Sequence, residues 1–202
     1  MKKVLTYVVF PLIILVLAYL LVSGINKPVK FKNEQTAREQ AAIVKLKDIR
    51  TLQVAYKNVN GKFASEIDTL VEFYKNGNMT VIKSIGSADD SVAVAKGLVK
   101  REAIQIPVRD TLLKNRPDFE PDQLKYIPFS DGDEITMEAV IKEVSGVDVP
   151  LFEAKVPYVS LLKGMDHQLI VNLVHERTDT DRFPGLQVGS IENPNNNAGN
   201  WE

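Results

Sequence analysis

Hydrophobic and polar positions divide the chain into an apolar N-terminal run, an amphipathic segment and a long region of shorter patterns. The apolar run, residues 4–25, carries no charge. As a helix it would span ~33 Å, which is enough for a hydrocarbon core of ~30 Å. Tyr7 and Tyr19 lie toward its two ends, where membrane helices place interfacial aromatic residues. The pattern predicts a retained transmembrane anchor after a short tail at residues 1–3.

A cleaved signal peptide is the alternative interpretation of the same run. Lys2 and Lys3 would form its basic start, and Val22-Ser23-Gly24 would form a small-residue cleavage site. Signal peptides usually have apolar regions of ~7–15 residues, and this run is longer, which favours the anchor.

The orientation of the anchor depends on the lysines that flank it. Lys27, Lys30 and Lys32 follow the helix and nearly balance the positive charges that precede it. Because short N-terminal tails commonly remain in the cytoplasm, we expect a single-pass protein of the inner membrane with a periplasmic domain.

An amphipathic helix is predicted after a basic joint at residues 26–32. Pro28 is expected to break or hinge the chain there, and Asn33 is suited to be the new N-cap. A narrow seam then follows a 4-3-4-3 spacing and consists of Ala42, Leu46, Ile49, Gln53 and Tyr56. The seam packs either on the chain's own sheet or on a partner helix. Its residues are therefore the candidate interaction residues, together with Trp201 near the C-terminus.

Shorter patterns predict an α+β domain over residues 33–191, in which the amphipathic helix packs on an antiparallel sheet. Asp131-Gly132 and Ser145-Gly146 are typical of hairpin turns. Residues 168–176 are apolar on both faces apart from Asn172, so they are predicted to form an interior strand. The polar, asparagine-rich residues 192–202 predict a disordered or loosely docked tail. The remaining predicted elements are helices at 65–75 and 157–163 and strands at 79–85, 104–108, 135–141, 149–156 and 185–191.

The end of the long helix resembles a known family. Tyr56-Lys57-Asn58-Val59-Asn60-Gly61-Lys62-Phe63 is followed by Ser65-Glu66-Ile67-Asp68-Thr69-Leu70. A tyrosine, an Asn-Gly turn and an aromatic residue before a short helix are similar to type IV pilins and type II secretion pseudopilins. The resemblance covers residues 4–74 and implies a pilin-like long helix, loop and antiparallel sheet. No prepilin peptidase site precedes the apolar run and no glutamate lies near its start, so the resemblance implies shape rather than filament assembly.

Charge and composition narrow the classes of function. The formal net charge is -1, whereas a nucleic-acid-binding domain usually carries a basic surface, so we expect no nucleic-acid partner. The chain has no cysteine, which excludes disulfides, thiolate metal sites and a cysteine nucleophile.

Candidate chemistry is sparse. On the predicted strand, His167 and His175 would be ~27 Å apart, too far to share one metal ion. Asp131-Gly132-Asp133-Glu134 and the stretch from Thr178 to Asp181 offer oxygen atoms that suit Ca²⁺, but neither has the EF-hand spacing and turn chemistry explains both. No Gly-x-Ser-x-Gly elbow or phosphate-binding glycine loop occurs. We therefore predict no catalytic, cofactor-binding or metal-binding residues.

These observations favour a non-enzymatic, membrane-anchored subunit or scaffold of a bacterial cell-envelope assembly of the secretion or pilus type. It would act by contacts with other envelope proteins. The alternative is a soluble periplasmic binding domain released by signal-peptide cleavage, with its small-molecule ligand left open. A hydrolase that uses paired carboxylates is a third class.

Overall fold

A computed structural model describes Tyr7 and residues 9–85, 100–116 and 119–202. It combines helices with antiparallel sheets and has a long apolar helix at its N-terminus. The start of the predicted anchor, at residues 4–6, lies outside the described residues. The sequence also predicts loops at 87–91 and 117–121 and leaves the type of 92–99 open; residues 87–99 and 117–118 likewise lie outside the described residues.

Helix α1 (Phe10–Asn60) joins the apolar run to the amphipathic segment without a break. Its 51 residues correspond to ~77 Å of helix. The predicted joint is wrong, because Pro28 lies inside the helix and Asn33 is not an N-cap. Proline removes the hydrogen bond to the carbonyl four residues earlier, but the cooperative bonds on both sides keep the helix continuous.

The C-terminal end of α1 agrees with the prediction. Gly61 follows the helix with φ 75°, and its N–H donates to the carbonyl of Lys57 at 2.7 Å. Glycine reaches this left-handed conformation without the steric cost that a Cβ would add.

Two antiparallel sheets complete the fold of the described residues. Strands β1 (Asn78–Ile85) and β2 (Lys100–Pro107) form one pair, and β3 (Thr136–Val144), β4 (Val147–Pro157) and β5 (Gly185–Gly189) form a second sheet in that order. The β3–β4 turn contains Ser145 at φ 54° and Gly146 at φ 81°, as a two-residue hairpin turn requires.

The core lies between the C-terminal half of α1 and the inner face of the second sheet. Phe152, Ala154 and Val156 of β4 are fully buried there. The ring of Phe152 packs 4.8 Å from that of Phe63, which follows the end of α1. Burial of apolar surface stabilises a fold by roughly 25 cal/mol per Å², so this contact holds the sheet against the helix.

Short helices connect the strands. They are α2 (Ile67–Asn76), α3 (Val108–Thr111), a 3-10 turn (Pro121–Gln123), α4 (Tyr158–Leu161) and α5 (His167–Thr178). Helix α2 begins two residues later than predicted, and its N-cap, Glu66, makes no capping hydrogen bond with its side chain. Val108 begins α3 instead of ending a strand.

The clearest error concerns residues 168–176, which form most of α5 rather than an interior strand. Asp166 caps the helix, because its carboxylate accepts a hydrogen bond from the N–H of Leu169 at 3.2 Å. Gln168 also donates to Asn172 one turn later at 2.9 Å. Of the apolar side chains only Ile170 is buried, so the continuous apolar run does not mark a strand enclosed on both faces.

The hairpin expected around Asp131-Gly132 is only a turn with one bridge between Tyr126 and Glu134. The N–H of Ile127 donates to the carbonyl of Asp133 and that of Ile135 to the carbonyl of Lys125, both at 2.8 Å, and regular pairing does not extend beyond this bridge.

The C-terminal tail is docked rather than disordered. Gly199 bridges to Val188, and the backbone N–H of Asn200 donates to the carbonyl of Gln187 at 3.0 Å. The side chain of Asn200 accepts from the N–H of Gln187 and donates to the carbonyl of Gly185. The side-chain amide of Asn200 thus adds hydrogen bonds between the tail and β5, which a composition-based prediction of disorder does not take into account.

Replacing Gly199 by valine is expected to undock the tail. A Cβ at this position would lie 2.4 Å from the ring of Trp201, which packs against the core. We expect a loss of about 1–3 kcal/mol in the free energy of unfolding, as for other overpacked sites. Because Trp201 is the one tryptophan, its fluorescence emission should move to longer wavelength. Unchanged emission would contradict the docking.

Candidate functional site

The N-terminal part of α1 is an exposed apolar surface. The helix is long and apolar enough to cross a membrane, and its apolar stretch is not buried in the domain. Leucine, isoleucine and valine side chains from Leu12 to Leu21 are between 47% and 69% exposed. Exposed apolar patches of this kind are rare on soluble monomers and are typical of membrane or protein contacts.

The domain begins close to the end of this apolar surface. Phe31 packs against the core and Gln35 is buried. On the helix, Phe31 follows Ile25 by only ~9 Å. A bilayer that ends near Ile25 would therefore leave the domain next to its headgroups.

Arg38 fastens α1 to the domain. Its guanidinium donates to the carbonyls of Lys163 at 2.9 Å and Leu161 at 3.3 Å, and it pairs with Glu34 at 2.8 Å. The same group lies 5.0 Å from the ring centroid of Phe129. The first turns of α1 inside the domain are therefore held at several points.

Tyr158 forms a second link between α1 and the domain. Its side chain is fully buried, and its hydroxyl lies 3.4 Å from the guanidinium of Arg177 in α5. Burial raises the pKa of Tyr158 far above its usual range, and a hydrogen bond with Glu39 of α1 adds to this effect. A neutral tyrosine thus connects α1, α4 and α5.

Lys45 and Asp48 hold the segment from Arg116 to Tyr126 against α1. The Lys45 ammonium donates to the carbonyls of Gln123 at 2.6 Å and Tyr126 at 2.7 Å, while Asp48 pairs with Arg116 at 3.0 Å. Burial lowers the pKa of Lys45 and raises that of Asp48, and the attraction to neighbouring opposite charges counteracts both shifts.

The raised pKa of Asp48 predicts a pH dependence of stability. A carboxyl group whose pKa is higher in the folded than in the unfolded chain makes its full contribution to stability at pH values below its ordinary pKa of 3.8. This contribution is lost as the pH rises through the pKa of the folded chain. In Asp48→Asn that loss is absent. The variant's free energy of unfolding, relative to the original chain, should therefore increase from about pH 3 to about pH 7. Urea titrations at several pH values measure it, and a constant or decreasing difference would contradict the shift.

The seam residues lie in the interior. Ala42, Leu46, Ile49 and Gln53 have no exposed surface, and Tyr56 is partly buried, with its ring edge-on to Phe73 at 5.3 Å. Of the two alternatives for the seam, a partner helix or the chain itself, the structure shows packing within the chain's own domain. Four of the five seam residues therefore present no surface to a partner helix, and Trp201 packs against the core.

The histidines and acidic loops do not form a metal centre in the described residues. Because α5 is a helix, His167 and His175 are ~12 Å apart along it. Both line an apolar surface groove of about 400 Å³ between α4 and α5. Asp131 and Asp133 lie 3.9 and 3.8 Å from the ammonium of Lys163, so a lysine offsets their charge.

A larger groove lies at the other end of the domain and has a volume of about 840 Å³. We call it the distal groove. Helix α1, the first residues of β1 and the C-terminal tail form its walls, with lining residues that include Arg50, Lys57, Met79 and Asn197. The sequence does not predict this groove, because these residues are remote from one another in the chain and follow no common pattern.

We compared the chain with protein-family models, with curated proteins and with solved structures. None of the three comparisons gave a match. The pilin resemblance therefore stays a prediction carried by residues 4–74, and function is inferred from the chain's own geometry.

Proposed function

We propose that this chain is a non-enzymatic, single-pass subunit or scaffold of a bacterial cell-envelope assembly. Its anchor lies in the inner membrane, and its domain, pilin-like in shape, contacts other envelope proteins in the periplasm. The observation that carries the proposal is the unbroken helix α1, whose first part is apolar and exposed and whose last part is the centre of the domain core.

This arrangement supports a structural role, because the anchor and the domain share one rigid element. A flexible linker would let the domain diffuse over the membrane surface. A helix that is fastened by Arg38 and Tyr158 instead fixes the height and orientation of the domain. Fixed presentation suits a subunit whose surfaces must meet particular neighbours.

Cysteine labelling in cells tests the anchor and its orientation, because the natural chain has no cysteine. Thr178→Cys places a thiol on the exposed end of α5, and Leu15→Cys places one in the apolar surface. In spheroplasts, a membrane-impermeant maleimide should label Thr178→Cys but not Leu15→Cys. Labelling of Thr178→Cys only after lysis would place the domain in the cytoplasm and contradict the proposal.

Two further measurements on the same cells address the alternative and the partners. The mass of the mature protein should include residues 1–24, whereas a start at Ile25 in the soluble fraction would favour the cleaved periplasmic domain. After mild detergent extraction the protein should co-purify with other envelope proteins. A strictly monomeric particle without companions would contradict the subunit role.

A further inference from the structure

The distal groove has an apolar floor, and its volume is suitable for a ligand. Phe63 and Ala55 are each 6% exposed and form its base. Its volume of about 840 Å³ lies within the ~300–1,000 Å³ that is usual for ligand sites. The other apolar lining residues are Val54, Val59, Met79 and Leu112. A groove of this kind accepts a few apolar side chains.

The charged residues among the described lining of the distal groove are all positive. Its described lining residues include two cations, Arg50 and Lys57, and no carboxylate. Arg50 is already matched, because its guanidinium donates to Glu202 at 2.7 Å and to the carbonyl of Asn197 at 3.3 Å. Lys57 lies 5.0 Å from the ring centroid of Phe63, and within the described residues no carboxylate lies within 4.0 Å of its ammonium. A ligand with a carboxylate next to apolar groups would complement this arrangement.

The position of the groove along α1 excludes the headgroups of the anchoring bilayer as this ligand. Val54, in the groove, follows Ile25 by ~44 Å of helix. The interfacial regions add only ~5–8 Å on each side of the hydrocarbon core. The carboxylate must therefore come from a molecule in the compartment that contains the domain.

We propose that the distal groove binds an extended, acidic segment of another envelope protein. Apolar side chains of that segment would pack on Phe63 and Met79, and a neighbouring Asp or Glu would pair with Lys57. Extended segments combine several small contacts along a groove and leave specificity to individual side chains. The inference rests on the proposed function, since it names the chemistry of the partner that the subunit contacts.

Photo-crosslinking of the full-length protein in its native membranes tests the groove. A benzophenone amino acid replaces Thr51, an exposed residue of the groove, and in a control replaces Glu72, which is exposed on α2. We expect the Thr51 position to capture a peptide of a second protein that contains Asp or Glu, and the Glu72 position not to capture it.

Charge variants show whether Lys57 recognises that peptide. Lys57→Glu should reduce the crosslink at least tenfold, because attraction becomes like-charge repulsion. Lys57→Arg should retain it, and so should Lys47→Glu, which makes the same charge change on α1 outside the lining residues. Thermal unfolding of each variant ensures that a lost crosslink does not reflect a lost fold.

Each of four outcomes would overturn the inference. They are the absence of a crosslink at Thr51, a captured peptide without a carboxylate, capture of a second copy of this chain, and an unchanged crosslink in Lys57→Glu. If companions still co-purify in that last case, the proposed function stands and the groove assignment fails. If the protein is cleaved and monomeric, both fail.

Discussion

Removing residues 1–28 is expected to move the protein completely from the membrane fraction to the soluble fraction without unfolding the domain. The apolar stretch of α1 is not buried in the domain, so its removal is expected to abolish membrane affinity without removing a core contact. Phe31 and Gln35 remain in this variant and keep the start of the core covered. Its free energy of unfolding, from circular dichroism in urea, should stay within about 1 kcal/mol of that of the full-length domain.

A longer truncation serves as the matched control. Removing residues 1–40 also deletes Phe31, Gln35, Arg38 and Glu39, and with them the contacts that hold α1 against α4. We expect this variant to be destabilised by several kcal/mol, as for other losses of buried side chains. Equal stability of the two variants, or aggregation of the variant that lacks only residues 1–28, would contradict the division between anchor and domain.

The second large effect is expected for Gln53→Ala. Gln53 is fully buried, and its amide donates to the carbonyl of Ala64 at 2.7 Å and accepts from the N–H of Ala64 at 2.9 Å. Alanine would leave both backbone groups unpaired and open a cavity. We expect a loss of about 3 kcal/mol, which combines an unsatisfied buried pair with a cavity. For a domain of this size, this corresponds to a melting temperature lower by about 6–12 °C.

Gln40→Ala is the matched control, because Gln40 is exposed on the same helix. It should change the free energy of unfolding by less than about 0.5 kcal/mol. If Gln53→Ala were equally mild, the two hydrogen bonds to Ala64 would not contribute as the geometry indicates.

The sequence predicted those elements in which the spacing of the apolar residues matches the side chains that are buried. The seam from Ala42 to Tyr56 repeats every three to four residues, about one turn of helix, and one face of α1 is buried accordingly. Gly61 and Ser145-Gly146 are at backbone positions where the left-handed conformation is needed, so these turns could be placed from residue type. The sequence could place Gln53 in the seam, but not its hydrogen bonds to Ala64.

The errors arose where a local rule competed with the rest of the fold. Pro28 removes one hydrogen bond, and the long cooperative helix on both sides tolerates the loss. Residues 168–176 are apolar enough for a buried strand, but the cap at Asp166 and the partial exposure of their side chains belong to a surface helix. The tail is polar, and the side chain of Asn200 makes hydrogen bonds with β5.

The distal groove was beyond prediction for a different reason. It joins the last turns of α1 to Met79, Leu112 and the loop at Asn196 and Asn197. These segments meet only after the two sheets have packed on the helix. No spacing within one segment indicates that Lys57 would lie beside an apolar surface whose described lining residues include no carboxylate.

The proposed function depends most on a single helix that crosses the bilayer and continues into the domain. A distance measurement between spin labels at Leu20→Cys and Val44→Cys, in full-length protein in lipid nanodiscs, tests this directly. Both positions are exposed, and no natural cysteine interferes. An unbroken helix predicts one narrow distribution near 36 Å, from 24 residues at ~1.5 Å each. A broad distribution, or one centred well below this value, would show a hinge at Pro28 and contradict the account.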